Sequence, residues 1–207
     1  MFKRKCKITF IRHGSTIYTD NCILNDDIEY PGLNEIGKQE VEKTAKWILE
    51  RGLKVDKLYT GPCIAEIKTA MIISKVLKMD YEVIDTLLPK VYGKWAGLNF
   101  NQIMEKYPQE FELYKKDKLN FAPENGESFF QLNKRVDENL SKIIKENLTK
   151  RIFIVTNSDI IQSVVRNALN IPPYSQTNVN IQPASATQVS FFKDFSMLMY
   201  SNYIPFL

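Results

Sequence analysis

The chain contains a single histidine, His13, and its neighbours are residue types that a phosphoryl group requires. Arg12 precedes it and Gly14 follows it, directly after the apolar run at residues 8–11. An arginine fork can bind two oxygens of an anion, and a glycine lets backbone N–H groups approach them. His13 is therefore a candidate nucleophile beside an anion-binding residue. Three residues alone are weak evidence, and the alternative is a histidine that merely caps a strand end.

A second polar cluster follows residues 151–156, the most strand-like run of the sequence. It consists of Asn157, Ser158 and Asp159. Strand-like runs alternate with helix-like runs along the chain, which predicts a largely parallel sheet covered on both faces. In such sheets, ligands bind at the carboxyl ends of the strands. If the strands at 7–11 and 152–156 are neighbours, the two clusters meet and form one site.

The other elements follow from apolar spacing and from capping residues. Asn34 can cap a helix that stops at Gly52, and Pro62 stands where a second helix begins. Ser128 opens a long helix that ends near residue 148. Shorter helices are predicted at 101–117, broken at Pro108, and at 159–169. Strands are predicted at 57–60, 81–84, 187–192 and 197–200, the last two as edge strands, with loops at 15–32 and 85–100.

Composition restricts the function classes. The 207 residues are 44% hydrophobic and 25% charged, without repeats or low-complexity linkers, so one soluble domain over 1–207 is expected. The net charge of +4 comes from scattered lysines, which does not favour nucleic-acid binding. Cys6, Cys22 and Cys63 show no metal or disulfide spacing, so a reducing cytoplasm and no metal or cofactor are expected. No run approaches the ~18 apolar residues of a membrane span.

Seven segments, in order, resemble the histidine phosphatase superfamily of the phosphoglycerate mutase-like type. The resemblance is nearest to the small cobalamin-pathway phosphatases and the metal-independent phosphoserine phosphatases. It implies a three-layer α/β/α sandwich with a mostly parallel sheet and an antiparallel edge strand. The segments are residues 8–16 (ITFIRHGST), 31–39 (PGLNEIGKQ), 56–60 with 68–70 (DKLYT and KTA), 92–98 (YGKWAGL), 123–128 (PENGES), 152–158 (IFIVTNS) and the tail 186–202.

The resemblance also implies a mechanism. In this family a histidine attacks phosphorus and is transiently phosphorylated, and a carboxylic acid protonates the leaving group. Two arginines and a second histidine bind the phosphoryl oxygens, and no metal is needed. Fixed positive charge around those oxygens and a proton for the alkoxide are general requirements of the reaction. On this sequence, His13 would be the phosphoryl acceptor and Arg12 a phosphate ligand.

The chain departs from the family pattern where the chemistry lies. The second arginine falls on Ala65, the acid on Pro89, and the second histidine on Asn157. The asparagine that usually follows the first motif falls on Thr19. Losing one preorganised donor costs ~10²–10³ in rate, and losing a general acid costs ~10²–10⁴. We therefore identify the chain as a degenerate member of the family.

Other residues could replace the missing groups. Lys68 lies three residues after Ala65 and could reach a phosphate, although a solvated lysine is the simpler interpretation. Asn157 can donate a hydrogen bond without charge, and Ser158 and Thr19 complete the predicted phosphate-binding set. Three carboxylates could act as the acid, although each is more often a helix cap or a surface group. They are Asp159, Asp85 and Glu127.

Two functions follow from the sequence. The first is a catalytically impaired or inactive protein, a non-catalytic subunit or regulatory partner of an active small-metabolite phosphatase such as a phosphoserine phosphatase. Its ligand would be phosphate or a phosphorylated small molecule, and it would form a dimer with itself or with an active paralogue. The second is a divergent but active metal-independent phosphomonoesterase that uses His13. Mild basicity alone supports nucleic-acid or membrane binding, so neither is expected.

Overall fold

The computed structural model describes residues 4–205, in which strands alternate with helices. Residues 1–3 and 206–207 of the expected domain lie outside this described part. Short 3₁₀ turns cover Gly93–Trp95 and Pro173–Asn178. The strands are β1 (Arg4–Arg12), β2 (Lys57–Thr60), β3 (Tyr81–Val83), β4 (Arg151–Thr156), β5 (Ala186–Phe192) and β6 (Ser196–Tyr203). The helices are α1 (Ile17–Asp20), α2 (Glu35–Glu50), α3 (Ile64–Leu77), α4 (Phe100–Lys106), α5 (Pro108–Lys116), α6 (Phe129–Glu146) and α7 (Ser158–Leu169).

The helices begin where polar side chains can accept hydrogen bonds from the first turn. Asn34 accepts from the Gly37 N–H at the start of α2, and Ser128 accepts from the Gln131 N–H at the start of α6. Pro108 occupies the first turn of α5, where its missing N–H is harmless, and so separates α4 from α5. The predicted helix starts at Asn34 and Ser128 and the break at Pro108 are confirmed.

Within residues 4–205 the strands form one six-stranded sheet in the order β3-β2-β4-β1-β5-β6. The first four strands in that order are parallel, and β6 is an edge strand that pairs antiparallel with β5. The prediction that residues 187–192 form an edge strand is wrong, because β5 pairs with β1 on one side and with β6 on the other. Strands β1 and β4 are neighbours, with Arg12 opposite Thr156, so the two polar clusters come together.

Helices cover both faces of the sheet, as the alternation of side chains along β1 requires. Ile8 and Phe10 pack in one cluster with apolar residues of α6 and α7, whereas Ile11 packs on the opposite face with residues of α2 and α3. The three-layer α/β/α fold is confirmed. The structure adds α1 inside the predicted loop at 15–32. No helix in the described part of the chain is long and apolar enough to cross a membrane.

Candidate active site

A cavity of about 210 Å³ opens at the carboxyl ends of β1 and β4, where the sequence predicts a ligand site. We call it the His13 cavity. The two polar clusters meet here, together with the positions at which the resemblance predicts a departure from the family pattern. The lining includes His13, Thr19, Ala65, Pro89, Asn157 and Ser158.

The loop after β1 is fixed by close backbone packing against α2. A Cβ on Gly14 would overlap the Gly37 carbonyl, and a Cβ on Gly37 would overlap the Ser15 backbone, so only glycine allows this approach. Ser15 donates from both its N–H and its hydroxyl to the Glu40 carboxylate, at 2.9 and 3.0 Å. These contacts set the position of His13 without using any residue that would touch a phosphate.

The His13 ring has a defined hydrogen-bonding state. Its Nδ1 lies 2.9 Å from the Gly14 carbonyl oxygen, which can only accept, so Nδ1 carries the proton and Nε2 keeps its lone pair. Burial, together with the nearby Arg12 charge, lowers the pKa of His13 to about 4. The ring is therefore neutral at pH 7, which is the state that a nucleophile requires.

Arg12 is buried and makes a hydrogen bond to the backbone. Its guanidinium donates to the Ile181 carbonyl oxygen at 2.6 Å, and its buried Nε has no hydrogen-bond partner within the described residues. Burial lowers the pKa of Arg12, while the charges of Asp159 and Glu40 oppose that shift. Arg12 is not among the described residues that line the His13 cavity. The structure thus places the predicted phosphate ligand beside His13 in sequence but not at the cavity wall.

Glu66 is a buried carboxyl group in this cavity that sequence reasoning missed. It accepts from the Cys63 N–H at 3.1 Å and from the Asn157 side-chain amide at 3.3 Å. Gly61 makes room for it, because a Cβ there would overlap the carboxylate. Burial raises the pKa of Glu66 to about 7. Its position could be predicted, since Glu66, Thr69 and Ala70 have the spacing of one helix face, which is buried in α3.

Three of the predicted phosphate ligands are exposed or already hydrogen-bonded to the backbone. Lys68 is exposed and does not line the cavity, because the buried face of α3 carries Glu66 and Thr69 and Lys68 projects from another side. Thr19 lines the cavity, but its hydroxyl donates to the Thr16 carbonyl oxygen and accepts from the Thr16 N–H at the start of α1. Asn157 likewise caps α7 by accepting from the Ile160 N–H.

Of the three carboxylates considered as the acid, the structure brings one to the cavity. Asp159 lines it and accepts from the Tyr92 hydroxyl at 2.8 Å, and burial raises the pKa of this carboxyl group. Glu127 instead forms a bidentate ion pair with Arg135, with N···O distances of 3.0 and 2.6 Å. Asp85 is exposed. Glu127 and Asp85 are absent from the described lining of the cavity.

Acidic residues line the His13 cavity, and the charge of Arg12 acts on one of them, Asp159. The carboxylic residues in its lining are Asp27, Glu66 and Asp159, and no lysine or arginine lines it within residues 4–205. The described residues also contain no group of three or more His, Cys, Asp and Glu side chains arranged to hold a metal ion.

Comparison with known proteins agrees with the fold. The profile of the histidine phosphatase superfamily (branch 1) matches residues 8–202. A bifunctional protein of Mycobacterium tuberculosis is 26% identical over 193 residues, which are 91% of this chain and 51% of that protein. The chain thus spans about half the length of this relative and of two further mycobacterial proteins that match it equally well.

Solved structures of similar shape include phosphatases of the two types that the sequence resembles. A phosphoserine phosphatase of Entamoeba histolytica, in complex with 3-phosphoglyceric acid, has a TM-score of 0.83 at 21% identity, covering 95% of this chain and 96% of that one. The α-ribazole phosphatase of Shigella flexneri has a TM-score of 0.82 at 16% identity, with coverages of 95% and 96%. At these identities the likeness establishes the fold.

Proposed function

The chain belongs to the histidine phosphatase superfamily (branch 1), and from this premise we propose that it is a member in which phosphoryl transfer is impaired or lost. One observation carries the proposal: carboxylic residues line the His13 cavity, and within the described residues no lysine or arginine does. The fold is retained because the packing of the loop after β1 does not depend on the catalytic charges.

Catalysis of phosphoryl transfer comes mainly from fixed positive charge around the three equatorial oxygens. Ala65 and Asn157 supply no positive charge to the cavity, and the Arg12 guanidinium is hydrogen-bonded to the Ile181 carbonyl oxygen. Glu66, with a pKa of about 7, is partly ionised at neutral pH and would repel the substrate. Two missing donors, at ~10²–10³ each, already account for several orders of magnitude in rate.

The test is hydrolysis of p-nitrophenyl phosphate and of a small panel of phosphometabolites by the purified protein beside its His13→Ala variant. We expect no turnover above the His13→Ala background. Ala65→Arg adds a cation to the cavity and should raise the affinity for phosphate, whereas Ser141→Arg adds the same charge on the exposed face of α6 and should not. Strong wild-type turnover that disappears with His13 would overturn the proposal.

A divergent but active phosphomonoesterase is the second candidate, and two observations favour it. His13 is neutral with a free Nε2, and Glu66 in the same cavity has a pKa near 7. In such an enzyme Nε2 would form the bond to phosphorus, Glu66 would protonate the departing alkoxide, and water would then cleave the phosphohistidine. Turnover that falls in both His13→Ala and Glu66→Gln would support this candidate over the first.

The role we propose for an inactive member is a non-catalytic subunit of a cytoplasmic dimer, either of this chain with itself or with an active small-metabolite phosphatase such as a phosphoserine phosphatase. Its support is the joint replacement at Ala65, Pro89 and Asn157 within an intact fold. Cys22 and Cys63 are thiols, which fits a reducing compartment. Light scattering of the protein alone and mixed with an active homologue tests the role. A monomer in both samples contradicts it.

A further inference from the structure

A second cavity of about 230 Å³ lies beside the His13 cavity, and six aromatic side chains contribute to its lining. We call it the aromatic cavity. It is far larger than the ~15 Å³ that one water molecule needs, and smaller than the ~300–1,000 Å³ typical of sites for drug-sized ligands. Its size therefore suits a small organic molecule. The six residues are Tyr92, Trp95, Phe100, Tyr114, Phe121 and Phe129.

The rings of the aromatic cavity hold one another in place. The Trp95 ring lies 5.1 Å from that of Phe121 and 5.7 Å from that of Tyr114, and Phe100 stacks on Tyr114 at 5.9 Å. The Trp95 indole N–H donates to Glu110 at 3.2 Å, which fixes the plane of the largest ring. Ring faces that are fixed before binding lose little entropy when a planar ligand packs on them.

The charged groups in this lining already have partners within the protein. They are Lys90 and Asp159. The Lys90 Nζ donates to the Glu127 carbonyl oxygen at 2.6 Å and lies 4.5 Å from the centre of the Tyr92 ring. Asp159 interacts with the charges of both Lys90 and Arg12. A charged ligand would lose its hydration here without gaining an unpaired counter-charge, so the cavity favours an uncharged ligand.

Asp159 can still accept a hydrogen bond from such a ligand. Its Oδ2 accepts from the Tyr92 hydroxyl at 2.8 Å, and no donor among the described residues is bonded to its Oδ1. A carboxylate offers about four acceptor sites, so capacity remains on the side that lines the cavity. An uncharged N–H group can use this capacity without bringing a charge into the cavity, and a carboxylate acceptor strengthens the hydrogen bond.

From these observations we propose that the aromatic cavity binds a small, uncharged heteroaromatic compound whose ring N–H donates to Asp159. The ring would pack on the fixed aromatic faces, and its single donor would meet the carboxylate. The inference goes beyond the proposed function and does not depend on it, since neither contact involves a phosphate in the His13 cavity. Indole has both features, a flat uncharged ring system and one N–H donor, and is the probe of choice.

Trp95 reports directly on binding in the aromatic cavity. The sequence has two tryptophans, so a proton–nitrogen correlation spectrum of the labelled protein contains two indole N–H signals, which Trp47→Phe assigns. Unlabelled indole would be titrated into this protein. We expect a saturable shift of the Trp95 signal. The Trp47 signal should not move, because Trp47 packs in the cluster on the opposite face of the sheet. Tryptamine and indole-3-acetate, which carry opposite charges, should bind no more tightly than indole.

Benzofuran tests the hydrogen bond to Asp159, since it has the shape of indole with an oxygen in place of the N–H group. We expect it to bind roughly tenfold more weakly, as loss of one hydrogen bond to a charged acceptor implies. Asp159→Asn should reduce this difference by weakening indole, whereas Asp80→Asn, at an exposed position after α3, should not. No shift of the Trp95 signal with indole, equal affinities of indole and benzofuran, or tighter binding of either charged compound would overturn the inference.

Discussion

The loop after β1 and the first turn of α3 line the same cavity but are held in different ways. In the loop, Gly14 and Ser15 are fixed by backbone contact with Gly37 and by hydrogen bonds to Glu40. In the first turn of α3, Ala65 and Glu66 are adjacent in sequence and both are buried. The resemblance predicts that the loop matches the family motif and that the turn lacks a cation at position 65.

The difference shows that a motif contains two kinds of residue: those that packing requires and those that the chemistry requires. Residues such as Gly14 and Gly37 are required by packing, so a chain that keeps the fold keeps them whatever its chemistry. Packing does not require a charged residue at positions such as Ala65, so the residue there can change while the fold stays the same. A motif match at packing positions therefore indicates the fold, whereas function depends on the charged positions alone.

The largest effect is expected at the first turn of α3. The pKa of Glu66 is raised from 4.5 to about 7 in the folded protein, so the folded state binds a proton more tightly than the unfolded chain. The stability that this proton confers is present at low pH and is lost as the pH rises through about 7. Glu66→Gln lacks this pH dependence. The unfolding free energy of the variant minus that of wild type should therefore rise by on the order of 3 kcal/mol from about pH 4 to about pH 8.

Denaturant unfolding at several pH values measures this slope. The glutamine amide at position 66 would meet the Cys63 and Asn157 donors, which adds a pH-independent difference in unfolding free energy. Such a difference does not affect the pH dependence. Glu42→Gln, at an exposed site on α2, is the matched control and should leave the pH dependence unchanged. If the unfolding free energies of Glu66→Gln and wild type changed in parallel with pH, Glu66 would behave as an ordinary exposed carboxylate and the prediction would be wrong.

A smaller effect is expected in the loop. Gly37→Ala would push a Cβ into the Ser15 backbone, and overpacking of this kind costs about 2 kcal/mol. Gly32→Ala is its control, since a Cβ there meets nothing within 4 Å, and it should change stability by less than about 0.5 kcal/mol. Unfolding free energies of the two variants test the comparison. Equal stabilities would mean that packing does not hold the loop.

The smallest effect concerns the segment that includes Pro89. Arg135 pairs with Glu127 and donates to the carbonyl oxygens of Leu88 and Pro89, at 2.8 and 2.7 Å, and so holds this part of the cavity wall. Arg135→Met should cost about 1 kcal/mol and increase hydrogen exchange at the Val91 N–H, which donates to Glu127. Lys134→Met, exposed on the same helix, should do neither. Unchanged exchange at Val91 would contradict the assignment.

Much of the fold could be predicted from the sequence, because caps such as Asn34 and breaks such as Pro108 act locally. The meeting of the two polar clusters was also predictable, since parallel neighbours align their carboxyl ends. The direction of Arg12 was not, because it depends on the Ile181 carbonyl, 169 residues away. The exposed position of Lys68 was not predictable from its spacing to Ala65, because that spacing alone does not decide which face of α3 is buried. Glu66 was missed because a charged residue is rarely expected on a buried helix face.

The most direct test of the account is NMR of His13, whose ring signals are unambiguous because it is the only histidine in the sequence. The central claim is that this ring lies neutral in a cavity that does not hold phosphate. The account predicts that its signals titrate with a pKa of about 4 and do not move when inorganic phosphate or a phosphomonoester is added. A saturable shift with phosphate, or the appearance of a phosphohistidine signal, would contradict it.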